Sequence, residues 1–176
     1  MKLLAFAASN NATSINKKLA SYAASLVTHD QGVNIEIIDI NDYEMPLFSD
    51  DREALLGQPE QAKAFYAKLG QADAIIISFA EHNGSYTAAY KNLFDWTSRI
   101  NTKIFQHKAM ILLATSPGPE GAKSVLAAAT NSAPYFAGNV KASLSIPSFF
   151  DNFDLDKKTL SNPELLKQLK SAMALL

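Results

Sequence analysis

"ADAIIISFAEHNGSYTAAYKNLFDW" (residues 72–96) sets an apolar run of strand length against a polar loop and then an amphipathic segment. Ile75, Ile76 and Ile77 stand consecutively, so the strand is apolar on both faces. That is the signature of a central parallel strand covered by helices on either side. The loop that follows holds a carboxylate, an imidazole, an amide, a glycine and hydroxyls before "TAAYKNLFDW" repeats apolar residues at helical spacing. A loop that only turned the chain would need fewer polar groups.

Working outward, four more strand-length runs appear: "KLLAFAA" (2–8), "VNIEIID" (33–39), "KAMILLAT" (108–115) and "VKASLSI" (140–146). The first and the 108–115 run are continuously apolar and suit central positions, whereas 33–39 and 140–146 alternate and suit edges. Helical patterns lie between them. "SINKKLASYAASLVTH" (14–29) puts Ile15, Leu19, Tyr22, Ala23 and Leu26 on one stripe. "PEQAKAFYAKLGQA" (59–72) opens with a first-turn proline, and "NPELLKQLKSAMALL" (162–176) with an Asn cap before proline. In "GAKSVLAAATNSAPYFAG" (121–138), Pro134 should kink or end the helix.

Strict βα alternation predicts an α/β three-layer sandwich with a parallel sheet, and five strands in the doubly-wound order 2-1-3-4-5 are the expectation. The length suits one domain spanning 1–176 and burying roughly 70% of the unfolded surface. The segments 41–58 and 147–160 exceed usual connection lengths and are expected to carry lid or partner contacts.

Composition excludes several classes. The chain has no cysteine, which removes disulfide frameworks, iron–sulfur clusters and thiol nucleophiles. Sixteen basic and 17 acidic residues give a net charge of −1 with no basic block, so neither nucleic acid nor a membrane surface is an expected partner. The three histidines lack paired ligand spacing, and no metal site is expected. "MKLLAFAAS" has the outline of a signal peptide, but its apolar run is short and a buried first strand explains it better. A cytoplasmic location is the expectation.

Open parallel sheets bind ligands beyond the carboxyl ends of their strands, at the switch in strand order. Here that edge would gather the loops after the first, third and fourth strands. "SNNATSIN" (9–16) crowds Ser9, Asn10, Asn11, Thr13, Ser14 and Asn16 at a helix N-terminus, a ready anion site. An N-cap alone would require one of them. Residues 9–16 contain no glycine, so the dinucleotide fingerprint is absent, and "GAKS" (121–124) is not a Walker A loop. In "EHNGSY" (81–86), Gly84 permits close backbone approach and Asn83 could bond a planar heterocycle, although Asn-Gly is also a common turn. "TSPGPEGA" (115–122) is explained largely by turn formation.

These residues resemble the NADPH-dependent FMN reductase family, flavodoxin-like proteins that include quinone, azo-dye and chromate reductases. Its first loop, approximately G-S-x-R-x-x-S-x-N, is matched at Ser9, Ser14 and Asn16. Its long third-strand motif, P-E-Y-N-G-S-Y-P-x-x-L-K-N-x-I-D-W, is matched at Glu81, Asn83, Gly84, Ser85, Tyr86, Lys91, Asn92, Asp95 and Trp96. A later S-x-G-x-x-G-G is matched at Ser116, Gly118 and Gly121, and "IPSFFDNFD" (146–154) extends the likeness. Four departures stand out: Asn11 replaces the arginine that commonly faces the FMN phosphate, and Ala80, His82 and Ala122 replace the loop proline, tyrosine and second glycine.

The resemblance implies FMN as cofactor and NAD(P)H as co-substrate. The implied cofactor-binding residues are Ser9, Asn11, Ser14, Ile15, Asn16, Glu81, His82, Asn83, Gly84, Ser116 and Gly118. It implies hydride transfer through FMN to a small-molecule acceptor such as a quinone, azo compound or free flavin, with no side chain required as catalytic acid or base. His82 is the sole candidate proton donor, against the plainer reading of an exposed loop histidine. The implied assembly is a homodimer or homotetramer, with subunit contacts on the "TAAYKNLFDWTSRI" helix (87–100) and on 41–58, where Met45, Leu47 and Phe48 are expected as an exposed apolar contact. A non-enzymatic FMN electron carrier, or a sensor of flavin or phosphate ligands, would share the fold. A receiver domain lacks its acids in "ASNN", and a hydrolase lacks G-x-S-x-G.

Overall fold

The computed structural model describes all of residues 1–176. β1 (Lys2–Ala8) leads to α1 (Ile15–Ser25) and β2 (Asn34–Ile37). A 3-10 turn (Ile40–Tyr43), α2 (Asp50–Leu56) and α3 (Glu60–Gln71) return the chain to β3 (Ala74–Phe79). The short strands β4 (Glu81–His82) and β5 (Ser85–Tyr86) precede α4 (Ala88–Ile100). Then come β6 (Ala109–Thr115), α5 (Lys123–Ser132), a second 3-10 turn (Ala133–Phe136) and β7 (Asn139–Ile146). The chain closes with α6 (Phe149–Asn152), β8 (Phe153–Asp154), β9 (Thr159–Leu160) and α7 (Pro163–Met173).

The main sheet runs β2-β1-β3-β6-β7 with every pair parallel. Counting only these five strands, that is the expected 2-1-3-4-5 order, with the two alternating strands at the edges. Strand alternation splits the core in two. Leu4, Phe6, Ile75, Ile77 and Leu112 face one layer with Phe65, Leu69, Leu93, Trp96 and Val125 from α3, α4 and α5. Leu3, Ala5, Ile76, Ile111 and Leu113 face the other, with Leu19 and Ala23 of α1 and Leu169 and Met173 of α7. Consecutive isoleucines in β3 thus serve opposite cores, which explains an apolar run without alternation.

Helix starts follow side-chain chemistry. Ser14 Oγ accepts from Lys17 N, Thr87 Oγ1 from Tyr90 N, and Asn162 Oδ1 from Glu164 N and Leu165 N. Pro134 ends α5, and the chain tightens into the second 3-10 turn.

The long segments have more structure than their sequence suggested. Residues 41–58 include part of the first 3-10 turn and α2, whereas 147–160 fold into α6 and the β8–β9 hairpin. The exposed Met45–Phe48 contact is corrected. Asn92 Nδ2 donates to the Met45 carbonyl at 3.1 Å, and Trp96 Nε1 donates to that of Pro46 at 2.7 Å. Phe48 N in turn donates to Asn92 Oδ1 at 2.8 Å. These bonds clasp the segment onto α4, so Met45 enters the core and Phe48 packs edge-on to Trp96, its ring 5.0 Å away. Leu47 alone of the three remains well exposed.

Candidate flavin site at the carboxyl edge of the sheet

The register sets Ala8 beside Phe79 and Phe79 beside Ala114, so β1, β3 and β6 end level. Their three loops therefore emerge side by side. Asn16, buried on the first turn of α1, locks the arrangement. Its Nδ2 donates to the Thr115 carbonyl at 3.1 Å, while its Oδ1 accepts from Thr115 N at 3.1 Å and Ser78 Oγ at 2.7 Å. Thr87 joins the same edge by donating to the Ala8 carbonyl at 3.0 Å. The third loop is tied to the chain after β7, with Ser148 N donating to the Gly118 carbonyl and Phe149 N to that of Ser116.

In the first loop, Ser9 Oγ accepts from Asn11 N at 3.3 Å, and Asn11 Oδ1 accepts from Thr13 N and Thr13 Oγ1. Ser9 and Ser14 are buried and Asn11 is exposed. The backbone N–H groups of Ile15 and Asn16 have no protein acceptor, as expected for the first helical turn. They mark the positive end of α1. Beside it, Lys17 Nζ meets Asp39 Oδ2 at 2.6 Å. Burial acts to raise the Asp39 carboxyl, but the Lys17 ammonium and bonds from Asn41 outweigh it and hold it below its ordinary value.

The second loop is a hairpin. His82 pairs with Ser85 and Glu81 with Tyr86. Asn83 and Gly84 both have positive φ, +53° and +76°, the geometry of a two-residue Asn-Gly turn. A Cβ built on Gly84 would meet nothing within 4 Å, so the turn's face is open. Gly118 in the third loop is nearly as open, its nearest neighbour being Ser116 Oγ at 3.9 Å. Gly121 is the opposite case. A Cβ there would press on Ser145 Oγ and Pro147, and the close approach seats the loop against the end of β7.

The structure thus brings Ser9, Asn11, Ser14, Ile15, His82, Asn83, Gly84, Ser116 and Gly118 to one edge, and gives the other two candidates internal work. Asn16's amide is engaged within the protein. Glu81 Oε2 accepts from Val125 N at 2.9 Å and so caps the start of α5. Two buried hydroxyls, Thr87 and Thr115, were not singled out by the sequence reading. Thr87 stands just before an apolar-periodic run, a recognisable cap pattern. Thr115 offers no comparable signal, since it reads only as the end of an apolar strand, yet its Oγ1 donates to the Ile146 carbonyl at 2.7 Å.

A family model described as NADPH-dependent FMN reductase matches residues 1–151. The chain belongs to that family. It is 32% identical over 122 residues to a 2-hydroxy-1,4-benzoquinone reductase from Burkholderia sp, covering 69% of this chain and 63% of that protein. It is 31% identical over 125 residues to an NADPH:quinone oxidoreductase from Arabidopsis thaliana, covering 70% and 62%. The matches therefore span less than two thirds of the length of either relative. Among solved structures, the flavoenzyme NAD(P)H:acceptor oxidoreductase FerB from Paracoccus denitrificans superposes with a TM-score of 0.74 at 22% identity, covering 98% of this chain and 92% of that one. That likeness confirms the flavodoxin-like fold.

The family's cofactor is FMN with NAD(P)H as co-substrate, and the residues present fit it. Unpaired amides at the head of α1, flanked by the Ser9 and Ser14 hydroxyls, suit a phosphate dianion. The open backbone at Gly84 and Gly118 leaves room for a flat ring. No helix is long and apolar enough to cross a membrane, and no group of three metal-ligating side chains occurs.

Proposed function

We propose that this protein is an NAD(P)H-dependent FMN reductase that passes hydride from NAD(P)H, through FMN, to a quinone, azo compound, free flavin or similar small acceptor. The observation that carries the reading is the unpaired Ile15 and Asn16 amides set between buried Ser9 and Ser14, on the same edge as the open Asn83–Gly84 turn. When bound, FMN supplies the hydride and electron-transfer chemistry. The first loop would hold and orient the phosphate, with the Ile15 and Asn16 backbone amides facing it and the Asn16 side chain only positioning the loop. Asn83 and Gly84 would present amide and backbone donors to the heterocycle, and Ser116 and Gly118 would help to hold it. Glu81 fixes the hairpin by its grip on α5. His82 is exposed and is the one titratable side chain at the turn able to exchange a proton with a reacting molecule. A homo-oligomer fits the exposed Leu47, Leu55 and Leu56, because α2 buries none of its own residues. A cytoplasmic location fits as well.

The test adds FMN to purified protein and follows flavin fluorescence and visible absorbance, then adds NADPH or NADH without oxygen. Quenching followed by bleaching of the oxidised band is expected. Binding without bleaching by either nicotinamide would make the protein an electron carrier or sensor. No binding would mean that Asn11, Ala80 and His82 mark a lost site, and the proposal would fall.

A further inference from the structure

Asn83 is the only asparagine in the chain followed by glycine. Both residues of the pair are exposed at the tip of the β4–β5 hairpin. Neither the Asn83 side-chain amide nor the Gly84 N–H has a hydrogen-bond partner in the protein. A side chain after asparagine would crowd the following nitrogen, but glycine leaves it open, and nothing stands within 4 Å of where a Gly84 Cβ would lie. The strands behind the turn are two residues each, so the turn opens at little cost.

Other asparagines are held out of reaction. Asn16, Asn41, Asn92, Asn152 and Asn162 each donate their side-chain amide to a partner in the protein. Asn131, followed by Ser132, lies inside α5, where the backbone is committed to helical geometry. At Asn83 the amide carbon and the Gly84 nitrogen belong to one dipeptide, so proximity is already supplied. The Gly84 nitrogen gives its proton to solvent base and attacks Asn83 Cγ. A C–N bond forms and closes a cyclic imide, the Cγ–Nδ2 bond breaks, and Nδ2 takes up a proton and leaves as ammonia. Water then opens the imide. Opening at Cγ gives aspartate, whereas opening at the Asn83 main-chain carbonyl gives isoaspartate, whose backbone runs through Cβ. Water is the only co-reactant, and nothing is oxidised or reduced.

We infer that Asn83 is a self-modification site, at which the chain converts its own side-chain amide to a carboxylate through a cyclic imide with Gly84. Either product sets a negative charge on the turn, and isoaspartate also lengthens the backbone there. A negative charge at this edge opposes an anionic cofactor. A cofactor resting on the turn would in turn keep it closed, so an occupied chain would convert slowly and an empty one fast. These two consequences rest on the flavin reading of the edge, whereas the conversion itself does not.

The test holds the full chain, with and without FMN, at physiological temperature and mildly alkaline pH. Peptide mass mapping follows each asparagine, and enzymatic methylation counts isoaspartate. In the flavin-free chain Asn83 should convert first, to both products, with Asn131 far behind. Asn83→Gln, which would have to close a larger ring, should stay unconverted over the same period. If only the empty form reacts, FMN at about ten times its Kd should slow conversion about tenfold. Asn83→Asp should bind FMN more weakly than the parent in fluorescence titration. An intact Asn83, when a peptide of residues 79–88 has converted under the same conditions, would overturn the inference, and so would Asn131 converting as fast. Conversion undiminished by FMN that fluorescence shows to be bound would overturn the shielding, and equal FMN affinity of Asn83→Asp the effect on the cofactor. Failure of FMN to bind at all would sink the flavin reading instead, with the flavin-free map still deciding Asn83.

Discussion

Asn11 and Asn16 stand five residues apart and do opposite things. Asn11 is exposed, and its side chain only shapes the first loop by accepting from Thr13. An arginine there would add a charged, bidentate donor. Asn11→Arg is expected to tighten FMN binding by roughly 10–150-fold, corresponding to about 1.5–3 kcal/mol for a hydrogen bond to a charged group. Fluorescence titration at low and high salt checks it, and the gain should shrink as salt rises. Asn16→Ala should instead act on stability. It would strand the Ser78 hydroxyl, the Thr115 amide and the Thr115 carbonyl in the interior. A loss of about 2–4 kcal/mol in urea unfolding is expected, given about 1–3 kcal/mol per unsatisfied buried group. A site role alone would leave the urea midpoint of the flavin-free protein unmoved.

Among the elements, the junction between the second 3-10 turn and β7 carries a mismatch of residue type. Ala137 occupies the left-handed region at φ +60°, whereas Gly138 beside it is hemmed in by Met110 Sδ at 2.8 Å and the Ala133 carbonyl at 3.0 Å. Left-handed backbone costs a residue with a Cβ about 1–2 kcal/mol, and glycine gives back part of that through unfolded-state entropy. Ala137→Gly should therefore stabilise by about 0.5–1 kcal/mol. Gly138→Ala should destabilise by about 1–3 kcal/mol, as overpacking does. Denaturant midpoints of the two variants moving in the same direction would contradict this account. The same elements show what a sequence can announce. Strands β1, β3 and β6 were legible because burial on both faces forces continuous apolar runs. Parallel pairing followed from the alternation of elements, whereas the order 2-1-3-4-5 was only the expected doubly-wound arrangement, from which the site's edge was placed. The clasp of Met45–Phe48 on α4 was not legible, because it depends on Asn92 and Trp96 reaching backbone carbonyls 46–50 residues away. Nor were the internal duties of Asn16 and Glu81, since a motif match does not say which way a side chain turns.

Across the whole molecule, acid sensitivity has an identifiable contributor. Asp39, just beyond β2, is bonded to Lys17 on α1 and has a folded pKa below its ordinary 3.8. Its stabilisation is present above pH 3.8 and is lost as pH falls through the lower folded value. The pair is partly exposed, with Lys17 at 37%, so solvent screening holds its worth to about 0.2–1 kcal/mol. Asp39→Asn should lower stability at pH 7 by that amount and converge with the parent as pH falls through the lowered folded value of Asp39, as thermal melts across pH would show. The β2 margin of the sheet also bears on handling the protein at high concentration. β2 is only four residues long, with Ile35 and Ile37 each over a third exposed. The Glu36–Lys68 pair supplies charge at this margin. A bare strand margin with exposed β-branched residues is a template for recruiting another chain. β2 keeps that hazard small by brevity and by Glu36. Removing that carboxylate would create a nucleus for fibrillar self-association while leaving every core contact in place.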